Sequence, residues 1–304
     1  MNLYRPDASW HRENNTSTRY VSGDPLAVIY NEGFWRLHNV SPLYNLQYDM
    51  VKLKQYALKI RQALVSAVAS NTTVKYVVKV EEQVNLKYSE DDANGLIVSQ
   101  FFYSNNKSKT TYTAILLSWG LSINLDNATH LPYMLESGEQ RIGTAVKATL
   151  QTIFDCNIKQ YWFTQQQLLQ LGFNFVQNDS SRSTDPFSLI YRTPQVDHKD
   201  KVTLSFELGD IYMIWNGIQQ EVQNNTELVT LTYQFLQNQI FCMTDLDITV
   251  LELFDVQLPR AEVKSDGLVK MRTPELVNCV FSILNDINLR QLSNDGRLNG
   301  RYEV

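Results

Sequence analysis

The segment that most constrains the fold runs from Trp35 to Tyr44, with the sequence Trp-Arg-Leu-His-Asn-Val-Ser-Pro-Leu-Tyr. It joins a short apolar strand to a turn marked by Pro42. Over residues 49–68, apolar side chains then recur every three or four positions, at Leu53, Ala57, Ile60, Leu64 and Ala67. This spacing is typical of a helix with one buried face, and Asp49 has the type and position of its N-cap. A strand, a turn and a helix are therefore predicted in direct succession.

Strands and helices are predicted in mixed order along the rest of the chain. Alternation of apolar and polar residues predicts strands at 74–80 and 202–208, and short apolar runs predict further strands at 96–103, 110–119, 248–256 and 261–271. Helical spacing predicts helices at 139–154, 164–171, 227–241 and 274–289. The spacing lacks the regular strand–helix–strand units of a parallel sheet. We expect an α+β fold of curved, mostly antiparallel sheets with packed helices, built in two halves.

Polar stretches divide the chain into five expected parts. Residues 1–25 and 291–304 are polar and are expected to be tails, the first of them flexible. Residues 26–176 form an N-terminal α+β half, and residues 201–290 form a C-terminal α+β half with a partner-binding sheet. Between them, residues 177–200 contain Ser180-Ser181-Arg182-Ser183 and Pro186, which favours a linker or long loop.

Composition argues against several classes of protein. The 304 residues carry a net charge of −5, whereas a protein that wraps nucleic-acid phosphates is usually basic. Three widely spaced cysteines favour a reducing compartment over a disulfide framework, and no apolar signal core opens the chain. No apolar run approaches the roughly 20 residues that span a bilayer. We therefore expect an intracellular protein without a membrane partner.

No pattern in the sequence points to catalysis. The glycine-rich loops that bind dinucleotides or nucleoside triphosphates are absent, as are His-Glu-x-x-His and Cys-x-x-Cys metal motifs. His38 falls within the opening segment, but a single histidine is more often a satisfied residue than a ligand. Cys156 and Cys279 are more typical of core residues than of nucleophiles. We expect no catalytic residue, no metal, no cofactor and no small-molecule substrate.

Two groups of basic residues are candidates for contact with the DNA backbone. Lys52, Lys59 and Arg61 lie on the helix predicted at 49–68, and Lys264 and Lys270 flank the late strands. Contacts of this kind add salt-dependent affinity without reading base sequence. The alternative is that each group is part of an ordinary solvated face.

The late strand at 248–256 is apolar on both of its faces. Ile248, Val250, Phe254 and Val256 leave little polar content for a solvent-facing side. One possibility is that a partner strand covers them by extending the sheet, which makes these four residues candidates for partner contact. The other is that the chain's own helices at 227–241 and 274–289 cover them.

Four segments resemble the centromere protein L family, and they occur in that family's order. The segment from Trp35 to Tyr44 resembles its Trp-Arg-Leu-x-x-Val-Thr/Ser-Pro-Leu-Tyr motif. The others are Gly143-Thr144 leading to Phe154-Asp155-Cys156, the strand Leu204-Ser205-Phe206 before a helix with Trp215, and the Asp266-Gly267 turn within residues 247–289. The loops between these segments differ from the family pattern, so the chain resembles a divergent member.

The resemblance implies a non-enzymatic structural subunit of the inner kinetochore, located at the centromere in the nucleus. Such a subunit pairs with a centromere protein N-like partner through its C-terminal part, joins other inner-kinetochore proteins, and helps to anchor the kinetochore on centromeric chromatin. Contact with centromeric DNA would be non-specific and made through the complex. Because this chain is acidic, we expect the partner to supply most of the positive charge.

Two other functions remain open from the sequence. A stand-alone nucleic-acid-binding protein would bind duplexes by itself with a steep salt dependence, and the net charge of −5 counts against it. An enzyme with an unrecognised site would need a pocket where titratable groups converge. The scattered His and Cys residues count against that function.

Overall fold

The computed structural model of the chain describes residues 24–67, 76–104, 107–121, 127–178, 185–193, 201–222 and 224–294. The tails predicted at 1–25 and 291–304 lie mostly outside these ranges. The helices within them are α1 (Ala27–Tyr30), α2 (Met50–Ala67), α3 (Gln140–Phe154), α4 (Gln165–Asn178), α5 (Leu208–Gln219), α6 (Asn225–Thr244) and α7 (Pro274–Asn294), with a 3₁₀ turn at Ile248–Val250.

The strands within these ranges are β1 (Phe34–Val40), β2 (Leu43–Tyr44), β3 (Tyr76–Gln83), β4 (Gly95–Ser104), β5 (Lys107–Leu117), β6 (Ala128–Thr129), β7 (Tyr133–Gly138), β8 (Ile158–Gln160), β9 (Phe187–Arg192), β10 (Lys201–Phe206), β11 (Glu252–Gln257), β12 (Ala261–Lys264) and β13 (Leu268–Met271). Eleven of them form one sheet in the order β10-β9-β11-β12-β13-β1-β7-β5-β4-β3, with β8 also paired to β1. Every pairing is antiparallel, which confirms the predicted α+β class.

Local side-chain hydrogen bonds begin two of the helices where the sequence predicts. Asp49 Oδ1 accepts the backbone N–H groups of Val51 and Lys52, at 3.1 and 3.0 Å, and so caps α2. Thr164 and Gln167 exchange side-chain-to-backbone bonds of 3.0 and 3.2 Å, which is a capping box at the start of α4. These bonds satisfy donors that helix starts otherwise leave unpaired.

The Trp-Arg-Leu segment forms β1, the strand that joins both halves of the chain. One edge of β1 pairs with β7, and the other edge pairs first with β13 and then with β8. Gly267 lies at the joint between β13 and β8, where its carbonyl accepts the N–H of Leu37. Its φ is +82°, and a Cβ there would lie 2.3 Å from the carbonyl oxygen of Tyr161. The Asp266-Gly267 turn therefore needs glycine for conformational and for steric reasons.

The first face of the sheet is covered by helices from both halves of the chain. Trp35 and Leu37 of β1 point to this face and are fully buried, together with residues of β9, β11, β12 and β13. The helices α1, α4, α5, α6 and α7 pack over them in one continuous core. The Trp35 indole Nε1 donates to the carbonyl of Ile29 at 2.8 Å, which ties α1 to the same core.

The second face is covered over the N-terminal half only. Helices α2 and α3 pack there against β3, β4, β5, β7 and the end of β1. Side chains alternate along a strand, so Phe34, Arg36, Lys264 and Lys270 point to this second face, opposite the first core. No described helix covers the part formed by β10, β9, β11, β12, β13 and the start of β1. We call this part the open face.

A buried carboxylate holds α3 against the second face. Glu136 of β7 is 3% exposed, and its Oε2 accepts bonds of 2.5 Å from His38 Nε2 and from Lys147 Nζ of α3. Burial alone would raise the pKa of Glu136, but the two hydrogen bonds outweigh it and lower that pKa. Gly143 makes room for the carboxylate, because a Cβ there would lie 1.6 Å from Glu136 Oε1.

Three local expectations differ from the structure. Residues 187–192, placed in a linker at 177–200, form β9, a strand between β10 and β11. Its short apolar alternation of Phe187, Leu189 and Tyr191 is hidden between polar stretches. The helix predicted at 164–171 continues past Gly172 to Asn178, and Gly172 packs against Val256 inside α4. The strand predicted at 248–256 begins only at Glu252, after the 3₁₀ turn.

Glu136→Gln should destabilise the fold near neutral pH by about 2 kcal/mol, because Lys147 and His38 would lose their charged acceptor. The lowered pKa fixes the pH dependence: the carboxylate contributes stability above the ordinary glutamate value of 4.5 and loses it as pH falls through the folded-state pKa. Denaturant unfolding at pH 7 and at pH 3 should show the difference from the wild type shrinking in acid.

The matched control is Glu139→Gln, which changes an exposed glutamate just before α3 that makes no side-chain capping bond. We expect it to change the free energy of unfolding by less than about 0.5 kcal/mol. A Glu136→Gln protein as stable as the wild type at pH 7 would show that the carboxylate charge does not hold α3 in place.

Candidate partner and DNA interface

The four residues predicted to contact a partner do not share one surface. Ile248 and Val256 point into the chain's own core and are 1% and 0% exposed. The 3₁₀ turn with Ile248 packs on α6, and α4 packs on Val256. A Cβ added to Gly172 of α4 would lie 2.7 Å from Val256 Cγ1. The chain's own helices therefore cover these two side chains, although α4, at Val256, was not among the helices expected to do so.

Phe254 and Val250 have different surroundings from those two. A bulge in the pairing of β11 with β9 falls between Leu253 and Asp255. Phe254 points to the open face, where the Arg192 guanidinium lies 3.1 Å from the centre of its ring. Its exposed fraction is only 8%. Val250 in the 3₁₀ turn is 65% exposed, so it is the most accessible of the four.

The open face carries cations stacked over two phenylalanine rings. Arg192 and Lys201 lie over Phe254, and the Nζ atoms of Lys264 and Lys270 lie 5.5 and 5.7 Å from the ring centre of Phe34. Such contacts orient the cations and stabilise them by about 0.5–1 kcal/mol at exposed sites. The side chains thus form an ordered basic surface across the sheet.

The two lysines predicted to contact DNA from this face differ in their partners. Lys264 Nζ lies 2.9 Å from Glu262 Oε1 and 3.4 Å from Asp255 Oδ2, so two carboxylates neutralise its charge. Burial lowers the pKa of Lys264, but these carboxylates outweigh it and raise that pKa. Within the described residues no ion pair is found for Lys270. Lys270 is therefore the better placed of the two to meet a phosphate.

The three cations predicted on α2 do not form a single cluster. Lys52 and Lys59 are seven residues apart, close to two full turns, so they lie on the same side of the helix. That side faces α3, because Lys59, Gln62 and Ala63 border the cleft between the two helices. Arg61 lies about 200° around the helix from Lys59. The structure brings Lys52 and Lys59 onto one side and leaves Arg61 on another.

An apolar surface on α6 was missed by the sequence analysis. Phe235 and Phe241 are 50% and 53% exposed, and Leu231 and Met243 are exposed at other positions on the same helix. The signal was present in the sequence, because Glu227 is the one charged residue in the twenty of α6. Uncharged polar residues such as Gln234 and Asn238 are exposed among them, and the exposed aromatic rings make α6 a candidate contact surface.

The two edges of the large sheet differ in how they are protected. β3 ends the sheet on one side and carries Lys79, Glu81 and Glu82, charges that oppose pairing with another strand. β10 ends it on the other side, and no strand in the described ranges pairs with its outer edge. Its sequence, Lys-Val-Thr-Leu-Ser-Phe, contains no proline and one charge, at its first residue. β10 is therefore the less protected edge.

The described ranges also lack the features of a metal site and of a membrane-spanning helix. They contain no group of three or more His, Cys, Asp or Glu side chains placed to hold a metal ion. Of the helices they contain, none combines the length and apolarity that crossing a bilayer needs.

The family model for centromere protein L matches residues 29–298, which include both halves of the sheet. The chain belongs to the centromere protein L family. No curated protein matches the chain. Membership confirms the resemblance carried by the segment from Trp35 to Tyr44, which the structure places in β1 and β2.

Centromere protein L is a structural subunit of the inner kinetochore, and its family is not a known enzyme family. Membership therefore gives this chain an inner-kinetochore structural role at the centromere in the nucleus, with other inner-kinetochore proteins as its partners. Within this family, exposed apolar surfaces and an unprotected sheet edge have to be interpreted as candidate contacts for those partners.

Proposed function

We propose that this centromere protein L family member pairs with a centromere protein N-like subunit and helps to anchor the kinetochore on centromeric chromatin. It acts by association and carries out no reaction. The observation that carries the pairing proposal is the outer edge of β10, an unprotected strand at the end of the large sheet. Such an edge presents a row of backbone donors and acceptors to an incoming strand.

Pairing at β10 would continue the sheet into the partner. Thr203 and Ser205 are exposed, whereas Val202, Leu204 and Phe206 pack partly against the first core. A partner strand beside β10 would complete the burial of those three side chains while its backbone bonds supply affinity. The proposal keeps the partner strand that the sequence analysis considered, but it places that strand beside β10 and not at β11.

The exposed apolar side chains of α6 support contact at the same end of the molecule. α5 follows β10 directly in the chain and packs on α6. The hydroxyl groups of Tyr191 of β9 and Tyr233 of α6 lie 3.1 Å apart, which fixes α6 over the end of the sheet. The 3₁₀ turn with Val250 also packs on α6. Val250 and the exposed rings of Phe235 and Phe241 are the apolar side chains that we assign to pairing at this end of the molecule.

Contact with DNA is proposed for the open face, centred on Lys270. Arg192, Lys201 and Lys264 point to the same face, and α2, which carries Lys52, Lys59 and Arg61 on different sides, packs on that face over the N-terminal half. Cations on one side of a sheet can follow a phosphate backbone without reading bases. Because the chain has a net charge of −5, the proposal assigns the remaining positive charge to the partner subunit.

Hydrogen–deuterium exchange should locate the pairing edge. We expect the outward-pointing amides of residues 201–206, which are every second one along the strand, to exchange at least tenfold more slowly when the chain is bound to a centromere protein N-like subunit than when it is alone, because a new strand would accept their hydrogen bonds. The β3 edge at residues 76–83 is the internal control and should be unchanged. Protection at β3, or at neither edge, would refute pairing at β10.

Val250→Asp should weaken pairing at least tenfold, because an unpaired carboxylate would be buried in the interface. The change lies at an exposed side chain, so thermal unfolding should show an intact fold. Val84→Asp is the matched control, since Val84 is also exposed, at 54%, but follows the opposite edge strand. Titration of each variant with the partner subunit measures the effect. Equal affinities for both variants would exclude Val250 from the interface.

Lys270→Gln should lower the affinity of the assembled pair for duplex DNA and reduce the salt slope by about 0.9, the value for one phosphate contact. Lys159→Gln is the control, because its register opposite Asn39 points it to the other side of the sheet. Fluorescence anisotropy at several salt concentrations gives both quantities. The same loss for Lys159→Gln would mean that only net charge matters. Strong duplex binding by the unpaired chain would instead favour a stand-alone nucleic-acid-binding protein.

A further inference from the structure

A groove runs between the outer sides of α2 and α3. It has a volume of about 520 Å³ and is lined by the residues Lys59, Gln62, Ala63, Ala67, Ala145, Ala148, Thr149, Thr152 and Ile153. The two helices are antiparallel, because Arg141 near the start of α3 donates to the carbonyl of Ala67 at the end of α2. Further along, the rings of Tyr56 and Phe154 lie 4.9 Å apart. The groove lies above these contacts and follows the helix axes.

The walls of the groove offer apolar contact and few unpaired polar atoms. The hydroxyl groups of Thr149 and Thr152 donate to the carbonyls of Ala145 and Ala148 in their own helix, at 2.7 and 3.0 Å. Ile153 adds a half-buried apolar side chain beside four alanines. Small side chains usually allow two helices to close on each other, whereas here they border an opening. The groove can therefore accept large apolar side chains from outside.

The charged side chains on the two helices that border the groove are all basic. Neither α2 nor α3 contains an aspartate or glutamate. Lys59 lines the groove, Lys52 lies on the same side of α2, and Arg141 stands at the other end. The carboxylates nearest in sequence, Asp49, Glu139 and Asp155, lie just outside the helix ends. In an acidic protein this basic border is a local exception that favours an acidic ligand.

We propose that this groove binds an amphipathic helix from a partner protein, with acidic residues flanking its apolar face. The groove extends from Lys59 to Ala67, a distance of about 12 Å along α2. Apolar anchors at positions i, i+4 and i+7 of a helix span about 10.5 Å, so three anchors fit this length. Carboxylates before and after the anchors would then reach Lys59 and Arg141.

Duplex DNA matches these features less well than a helix does. A phosphate backbone uses the cations but has no apolar group to place against alanines and Ile153. The cations beside the groove, Lys59 and Arg141, are also separated, because each lies at one end of it. Arg61 does not join them, because it lies on the far side of α2 from Lys59. The groove is therefore assigned to a protein helix, and DNA binding becomes an outcome of the test.

The experiment is a selection on the full chain from a displayed library of helices about 15 residues long. Leu is fixed at i, i+4 and i+7, and the flanking positions are randomised between Glu, Lys and Ala. We expect enrichment of Glu-flanked helices, and synthetic versions of them should bind at least tenfold more tightly than their Lys-flanked counterparts. Calorimetry with the purified peptides measures these affinities.

Two pairs of variants test the groove itself. Ala148→Phe fills it and should weaken the selected peptide at least tenfold, whereas Thr144→Phe changes an exposed residue of α3 that does not line the groove. Lys59→Glu should weaken the Glu-flanked peptide and strengthen the Lys-flanked one, whereas Lys54→Glu on the other side of α2 should do neither. All four changes fall at exposed residues, and thermal unfolding checks that each fold is intact.

Three outcomes would overturn the proposal. The first is a selection that yields no binder sensitive to Ala148→Phe. The second is equal affinity for Glu-flanked and Lys-flanked helices. The third is a loss of duplex binding by Lys59→Glu with peptide binding unchanged, which would assign this side of α2 to nucleic acid.

Discussion

Backbone hydrogen bonding to β1 holds the two halves of the chain in one sheet. β7 from the N-terminal half pairs with one edge, and β13 from the C-terminal half pairs with the other. The same strand sends Trp35 and Leu37 into the first core and His38 to Glu136 below α3. A break in β1 would separate the sheet and disturb both helical layers at once. The position of every proposed interface depends on this strand.

The described helices form two offset layers on opposite faces of the sheet. Helices α4 to α7 cover the first face, and α2 with α3 cover the second face over the N-terminal strands only. The uncovered remainder is the open face, with β10 at its outer edge. Strand surface that no described helix covers, and a strand edge that no described strand pairs with, are suited to binding partners. The architecture thus places the cations proposed to contact DNA and the proposed pairing edge in the same part of the sheet.

Local signals in the sequence were sufficient for much of the fold, and long-range pairing was not. Asp49 and the pair Thr164 and Gln167 cap helices through bonds between near neighbours, so they can be recognised from spacing alone. β9 could not be recognised, because its six residues become a central strand only through β10 and β11, which lie elsewhere in the chain. Ile248 and Val256 would be apolar whether a partner or the chain's own helices α4 and α6 covered them. The sequence pattern therefore could not decide between these two kinds of cover.

Buried carboxylates decide how much of the positive charge remains for a ligand. Asp255 is 2% exposed beside Lys264, and burial raises its pKa although Gln257 and Lys264 oppose that effect. Glu136 binds Lys147 in the same way below α3. These two lysines serve the protein's own carboxylates and cannot add fully to the attraction for phosphate. Lys270, Arg192 and Lys201 on the open face have no ion pair within the described residues. Because the chain as a whole carries a net charge of −5, these cations suit the proposed contact with DNA as one part of an assembly better than binding by the chain alone.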